Sequence, residues 1–138
     1  MVGEQCARAA PWAGAARESV TLRPDPTSAR EARRLVARVC AEAGLPGELC
    51  DNAVLLASET VTNAVVHGRS EARLTVTADP TGVRVDVGDD NSRYPVVQAN
   101  DPDALDGRGM AMLQACATQW GVEAGRYGKV VWFEVRVV

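Results

Sequence analysis

The segment from residue 56 to residue 68 carries an apolar helical pattern that is interrupted at every fourth position, by Glu59, Asn63 and His67. Positions four apart drift by only about 40° around a helix of roughly 3.6 residues per turn, so these side chains share one face. Asn is a poor residue for the interior of a helix, because its amide competes for backbone hydrogen bonds. We therefore interpret the stripe as the lining of a ligand site.

Each residue of this stripe, taken alone, also has an ordinary structural explanation. Glu and Asn are common on solvated helix faces, and His67 precedes Gly68, where a cation suits the negative end of the helix dipole. That explanation is preferred for any one of them alone. It accounts least well for Asn63, which lies in the middle of the predicted helix.

The composition predicts one globular domain. The chain has 138 residues, of which 46% are hydrophobic and 24% charged, enough for a single core. We expect residues 1–18 to be a disordered tail and residues 19–138 to be the domain.

A net charge of −3 disfavours nucleic acid as the main partner. No apolar run reaches the roughly 18 residues of a membrane helix, and no signal peptide is recognisable, so we expect a cytoplasmic protein with no membrane partner.

The cysteines do not predict a metal site. Cys6, Cys40, Cys50 and Cys116 form no C-x-x-C pair, and the chain has a single histidine to join them. We interpret them as core or loop thiols of a reducing compartment.

The order of predicted elements is β-α-α-β-β-loop-α-β-β. It favours an α+β fold, a two-layer α/β sandwich with helices on one face of a mainly antiparallel mixed sheet. The first helix is expected to begin with a capping box, Ser28 to Glu31. The elements are an edge strand at 19–22, helices at 28–44 and 48–68, a hairpin of strands at 74–78 and 83–87, a polar loop or lid at 89–108, a helix at 109–120, and two strands around a turn at 125–128.

Two further features belong near the polar stripe. Asp89 follows the strand that ends at Val87, and its carboxylate is an acceptor suited to the exocyclic amine of a purine. The run Asp106-Gly107-Arg108-Gly109 opens the third helix, where backbone N–H groups and an arginine attract phosphate. The alternatives are a turn acid for Asp89 and a plain Asp N-cap at the helix.

Together these segments resemble the Bergerat ATP-binding fold of gyrase B, histidine kinases and anti-sigma serine protein kinases. The likeness is closest to small ATP-binding regulators of the anti-sigma type. Glu59-x-x-x-Asn63-Ala64-x-x-His67-Gly68 resembles the N box, and Val87-x-Asp89 resembles the start of the first glycine box. Gly107-Arg108-Gly109-Met110 with Trp120-Gly121 resembles the second glycine box.

The resemblance implies a role for each matching residue. Asn63 would be the Mg²⁺ ligand and Glu59 the catalytic base that accepts the proton of a serine or threonine hydroxyl. Asp89 would bind the adenine amine, His67 would brace the pocket, and the segment Gly107 to Met110, with Arg108 and Gly109, would wrap the phosphates of ATP. Where many relatives have Gly-Thr before the last strand, this chain has Gly128-Lys129.

The function implied is that of an ATP- and Mg²⁺-binding regulatory serine/threonine kinase. It would phosphorylate an antagonist protein, sequester a sigma factor, or do both, and as a family expectation it would form a homodimer. The alternative is a non-catalytic ATP-binding interaction module. A detached histidine-kinase domain is disfavoured, because the phosphoacceptor helix is missing.

Overall fold

A computed structural model describes Trp12 and residues 14–67, 70–89, 107–124 and 128–138; for 66, 67 and 107–110 it describes the backbone. Within these ranges lie five strands, three α-helices and one π-helical turn. The strands are β1 (Ala16–Leu22), β2 (Ala72–Asp79), β3 (Gly82–Asp89), β4 (Gln119–Ala124) and β5 (Lys129–Arg136). The helices are α1 (Ser28–Glu42), α2 (Gly47–Thr62) and α3 (Gly107–Cys116), and the π-turn (Asn63–His67) continues α2.

The strands form one sheet in the order β1-β2-β3-β5-β4. All four described pairings are antiparallel, whereas the sequence predicted a mainly antiparallel mixed sheet. The predicted hairpin is β2 and β3, whose turn is closed by Asp79, the acceptor of hydrogen bonds from the Thr81 amide at 2.8 Å and the Thr81 hydroxyl at 2.6 Å. The α+β fold and the element order predicted from the sequence are confirmed.

The core lies between the sheet and the helices. Strand side chains alternate between two faces, and the buried valines at 83, 85 and 87 of β3 and the buried residues 131, 133 and 135 of β5 all face α1 and α2. Helix α1 contacts β1 and β2, while α2 contacts β3 and β5. Within the described ranges the helices therefore pack on one side of the sheet, and α2 lies across its middle.

A charged cluster occupies the opposite face of the sheet. Arg84 lies over the Trp132 ring at 4.4 Å and donates to Glu134 at 3.0 Å, and Arg136 donates to the same carboxylate at 3.2 Å. Glu134 is 1% exposed, and its two guanidinium partners compensate for the burial of its charge. Burial raises the pKa of Asp86 above its usual value, although Arg84 lies beside it.

The junction between α1 and α2 fixes how the two helices pack. Gly44 has φ of 75°, a left-handed conformation that suits glycine at a helix end. The Leu45 amide then donates to the Cys40 carbonyl at 3.2 Å, and the Cys50 thiol donates to the Leu45 carbonyl at 3.6 Å. Burial raises the pKa of the Cys40 thiol to about 12. In the described part of the chain Cys40, Cys50 and Cys116 are free thiols.

Several element boundaries differ from those predicted. The capping box is wrong, because α1 starts at Ser28 itself and the Ser28 hydroxyl donates to the Arg23 carbonyl at 2.6 Å. β1 starts at Ala16 rather than Ser19, and α3 ends at Cys116, so that Trp120 lies on β4. The predicted lid at 89–108 and the turn at 125–128 fall largely outside the described residues. No helix in the described ranges is long and apolar enough to cross a membrane.

Candidate functional site

The last turns of α2 bring Glu59 and Asn63 together. The Asn63 backbone N–H bonds to the carbonyl groups of Glu59 and Thr60, so the two polar residues lie one helical turn apart on the same side of the helix. Glu59 is partly buried and makes a polar contact of its own. The adjacent positions Leu56, Ala57 and Val61 are at most 1% exposed and hold α2 on the core. The apolar packing of α2 therefore fixes the orientation of its polar stripe.

The helix changes its hydrogen-bond pattern at Asn63. From Asn63 to His67 the chain forms a π-helical turn rather than the continuous α-helix that the sequence predicted up to Gly68. Such single π-turns within α-helices frequently occur at functional sites, because the wider turn changes the direction of a side chain. The π-turn contacts β3, the strand that ends in Asp89. His67 lies in this turn, and its side chain falls outside the described part of the structure.

The Asn63 side chain is buried with an unsatisfied polar group. Asn63 is 8% exposed, and its Nδ2 has no hydrogen-bond partner among the described residues. Leaving such a buried donor unpaired costs about 1–3 kcal/mol, a cost that a bound ligand removes. Rotation of the amide exchanges its oxygen and nitrogen, so Asn63 can present either an acceptor to a cation or a donor to a phosphate. The Asn63 amide therefore fits a site that holds a cation bound to phosphate.

Mg²⁺ would take most of its ligands from phosphate and water. Within the described ranges no three His, Cys, Asp or Glu side chains are grouped to hold a metal. Mg²⁺ commonly keeps several waters and binds through one or two protein oxygens together with substrate phosphates. A single amide oxygen at Asn63 would suit a cation that arrives with a nucleotide.

Asp89 closes β3 at the edge of the same region. It is the last residue of the strand, is paired with Ala72 of β2, and is partly buried. It too makes an interaction of its own. By strand alternation its side chain follows Val83, Val85 and Val87 on the face that carries the helices. Asp89 thus lies on the same side of the sheet as α2 and the π-turn.

Gly128 packs directly against Asp89. A Cβ atom at position 128 would collide with Asp89 Oδ1 and would lie 2.6 Å from the Asp89 carbonyl oxygen. Only a residue without a side chain allows this approach. Gly128 belongs to the Gly128-Lys129 pair that departs from related chains, but its contact with Asp89 was not predicted, since the contact depends on the register of β3 and β5.

Helix α3 supplies the third part of the candidate site. It begins at Gly107, and its Leu113 is 1% exposed in the core, which docks the helix against α2. The first N–H groups of any α-helix have no partner within the helix, and such an end is the kind that binds phosphate. The backbone of 107–110 forms the first turn of α3. The side chains of Arg108 and Met110, and the whole of Asp106, lie outside the described part of the structure. The roles of 107–110 therefore remain predictions.

The family of the chain follows from a comparison with protein-family models. Residues 22–135 match the model of the histidine kinase-like ATPase domain. The chain belongs to this family. The match contains β2, β3, β4 and the helices in full, Leu22 of β1, and β5 except for Arg136, and the site residues Glu59, Asn63 and Asp89 all lie within it. The resemblance to Bergerat-fold proteins inferred from the sequence is confirmed.

A solved structure shares the fold of this ATPase domain. The crystal structure of the RsbU and RsbW domains of Rv1364c from Mycobacterium tuberculosis matches with a TM-score of 0.66 and 22% sequence identity. The match covers 88% of this chain and 32% of that one, so the ATPase domain spans about a third of the larger protein. At this identity the likeness shows the fold. No curated protein matches the sequence.

The contact between Gly128 and Asp89 generates a prediction. We expect Gly128→Ala to force the Asp89 backbone to move, because the new methyl group would lie 2.6 Å from its carbonyl oxygen. Overpacking of this kind costs about 1–3 kcal/mol. Urea denaturation measures the loss as a lower midpoint.

Gly47→Ala is the matched control. A Cβ at Gly47 meets nothing within 4 Å, and this position is the first residue of α2. The control should leave the midpoint unchanged or raise it slightly, since Ala favours a helix over Gly. Equal midpoints for the two variants would contradict the close packing of Gly128.

Proposed function

We propose that this ATPase domain is an ATP- and Mg²⁺-binding regulatory serine/threonine kinase of the anti-sigma type. It would phosphorylate a hydroxyl of an antagonist protein and would also sequester a sigma factor. The observation that carries the proposal is the pair formed by Glu59 and Asn63, one turn apart at the point where α2 becomes a π-turn. A carboxylate next to a buried amide suits a site where a substrate hydroxyl accepts the phosphoryl group beside a cation bound to the phosphates.

Three described parts of the chain would hold the nucleotide. Asn63, with its unsatisfied buried amide, would hold the Mg²⁺ that accompanies the phosphates. The N–H groups at the start of α3 would bind the phosphate oxygens. Asp89, at the end of β3, would accept a hydrogen bond from the exocyclic amine of the base. ATP would supply the phosphoryl group and Mg²⁺ would neutralise the charge on it.

Glu59 would act on the protein acceptor. Its carboxylate would accept the proton of a serine or threonine hydroxyl and hold that oxygen in line with the phosphate. The backbone hydrogen bond from the Asn63 N–H to the Glu59 carbonyl fixes the spacing between the proposed catalytic carboxylate and the proposed cation ligand. The rigid packing of Leu56 and Val61 on the core would preserve this spacing while the partner binds.

The nucleotide site is tested by calorimetric titration with ATP, with and without Mg²⁺. We expect binding that depends on Mg²⁺ and that weakens at least about tenfold in Asn63→Ala, since a hydrogen bond or ligand contact to a charged group is lost. Asn52→Ala is the control, because it makes the same substitution on the same helix, in the turns before the polar stripe. Absence of binding at millimolar ATP in the wild type would contradict the proposal.

The catalytic role is tested with Glu59→Gln, which keeps the shape of the side chain and removes its basicity. With a panel of purified anti-sigma-factor antagonists and radiolabelled ATP, we expect phosphotransfer to fall by about 10²–10⁴-fold while the affinity for ATP is retained.

Glu48→Gln is the matched control for this experiment, since Glu48 is exposed in the first turn of α2. It should transfer phosphate at the wild-type rate. ATP-dependent binding of an antagonist without phosphotransfer by the wild type would favour the non-catalytic interaction module instead.

A further inference from the structure

Two cysteine side chains meet where α1 ends and α2 begins. Cys40 lies in the last turn of α1 and Cys50 in the first turn of α2, and these two helices pack against each other. A hydrogen bond joins the two side chains. Both residues are free thiols. A disulfide requires two cysteines whose side chains point toward each other, and thiols in hydrogen-bond contact meet this requirement.

The backbone of the junction holds the two thiols in place. The Leu45 amide donates to the Cys40 carbonyl at 3.2 Å, and the Cys50 thiol donates to the Leu45 carbonyl at 3.6 Å. The Cys50 amide donates to the Pro46 carbonyl at 3.0 Å. Because the single proton of the Cys50 thiol is directed at Leu45, Cys40 is the donor in the bond between the two sulfurs. The contact therefore depends on an ordered turn.

The two thiols differ in their access to solvent. Cys40 is 0% exposed, whereas Cys50 is only partly buried and packs against the edge of the core. Burial, with a smaller contribution from Cys50, raises the pKa of the Cys40 thiol to about 12. Cys40 is then protonated at neutral pH and is the less reactive of the two. An oxidant that reaches this pair must meet Cys50 first, and a small one is favoured.

We propose that Cys40 and Cys50 form a dithiol site that hydrogen peroxide converts into a disulfide across the junction of α1 and α2. The Cys50 sulfur attacks a peroxide oxygen, the O–O bond breaks, and the thiol proton leaves with the released hydroxide as water. Cys50 is then a sulfenic acid. The Cys40 sulfur attacks the Cys50 sulfur, the S–O bond breaks, and the Cys40 proton leaves with the hydroxide as a second water.

This modification site is separate from the candidate nucleotide site. Cys50 lies in the first turn of α2, and Glu59 and Asn63 lie at the other end of that helix. The inference does not depend on the proposed function, because it uses none of the residues assigned to ATP. Two electrons leave the protein and reduce one peroxide to two waters, and a dithiol reductant such as dithiothreitol returns them.

Peptide mapping tests the bond directly. In Cys6→Ser/Cys116→Ser the candidate pair provides the only cysteines, and the folded protein is treated with hydrogen peroxide before free thiols are alkylated. Cleavage after glutamate places Cys40 in peptide 32–42 and Cys50 in peptide 49–59. We expect mass spectrometry to find these two peptides joined, with the loss of two hydrogen atoms, and separated again by dithiothreitol.

Urea denaturation tests the effect of the bond on the folded protein. A disulfide that closes so short a loop restricts the unfolded chain, and we expect the oxidised variant to have a urea midpoint higher by about 1 M. Adding Cys50→Ser to the same variant gives the matched control, since serine keeps a donor for the Leu45 carbonyl and removes the sulfur. Peroxide should leave its midpoint unchanged, which excludes an effect of methionine oxidation.

Three results would overturn the inference. The first is a sulfinic acid at Cys50 with Cys40 still a free thiol, which would mean that the contact does not allow the bond. The second is a linked peptide that forms only when urea is present during oxidation. The third is a midpoint that does not rise on oxidation, or that rises equally in the Cys50→Ser control. None of these results bears on the binding of ATP, so the proposed function is tested independently.

Discussion

The packing of helix α2 is the constraint on which the rest of the molecule depends. One side of the helix must be apolar enough to cover the middle of the sheet, and the other must present Glu59 and Asn63. Leu56, Ala57 and Val61 meet the first requirement, since each is at most 1% exposed. Burial of a side chain such as Leu or Val stabilises the fold by about 1.5–3 kcal/mol. The same contacts that stabilise the domain therefore fix where its polar stripe points.

The second constraint is the close approach of β3 and β5 at their ends. The sheet could pair these strands without Gly128, but the approach of residue 128 to the Asp89 carbonyl requires a residue with no Cβ. This contact joins the start of β5 to Asp89, the proposed acceptor for the adenine amine. The stripe on α2 and the strand ends then occupy the same side of the sheet, and α3 docks against α2 beside them. In the proposed function, the end of α2 and the start of α3 would bind the phosphates and the end of β3 would bind the base.

Much of the fold is predictable because it rests on periodicity. The alternation of valines in β3 and the helical spacing of apolar residues in α1 both reflect burial on one face, and both are visible in the sequence. Boundaries are less predictable, since they depend on local hydrogen bonds. Ser28 bonds to the Arg23 carbonyl instead of capping α1, and the change to a π-turn at Asn63 leaves no signal in the spacing of residues.

The residues of the candidate site likewise include some that the sequence predicts and some that it does not. Glu59 and Asn63 were predicted from the spacing of polar residues in an apolar helical pattern, and Asp89 was predicted from its place after a strand. The closeness of Gly128 to Asp89 was not predicted. It depends on how β3 and β5 pair across the sheet, which is a tertiary contact.

Hydrogen exchange, followed by mass spectrometry with and without Mg²⁺ and ATP, tests the central claim most directly. The claim is that the end of α2, the π-turn, the end of β3 and the start of α3 form one nucleotide site. The account predicts slower exchange on ATP addition in peptides that cover 59–67, 86–89 and 107–113, with no change in α1. Protection that is absent from all three segments, or that appears in α1 alone, would contradict it.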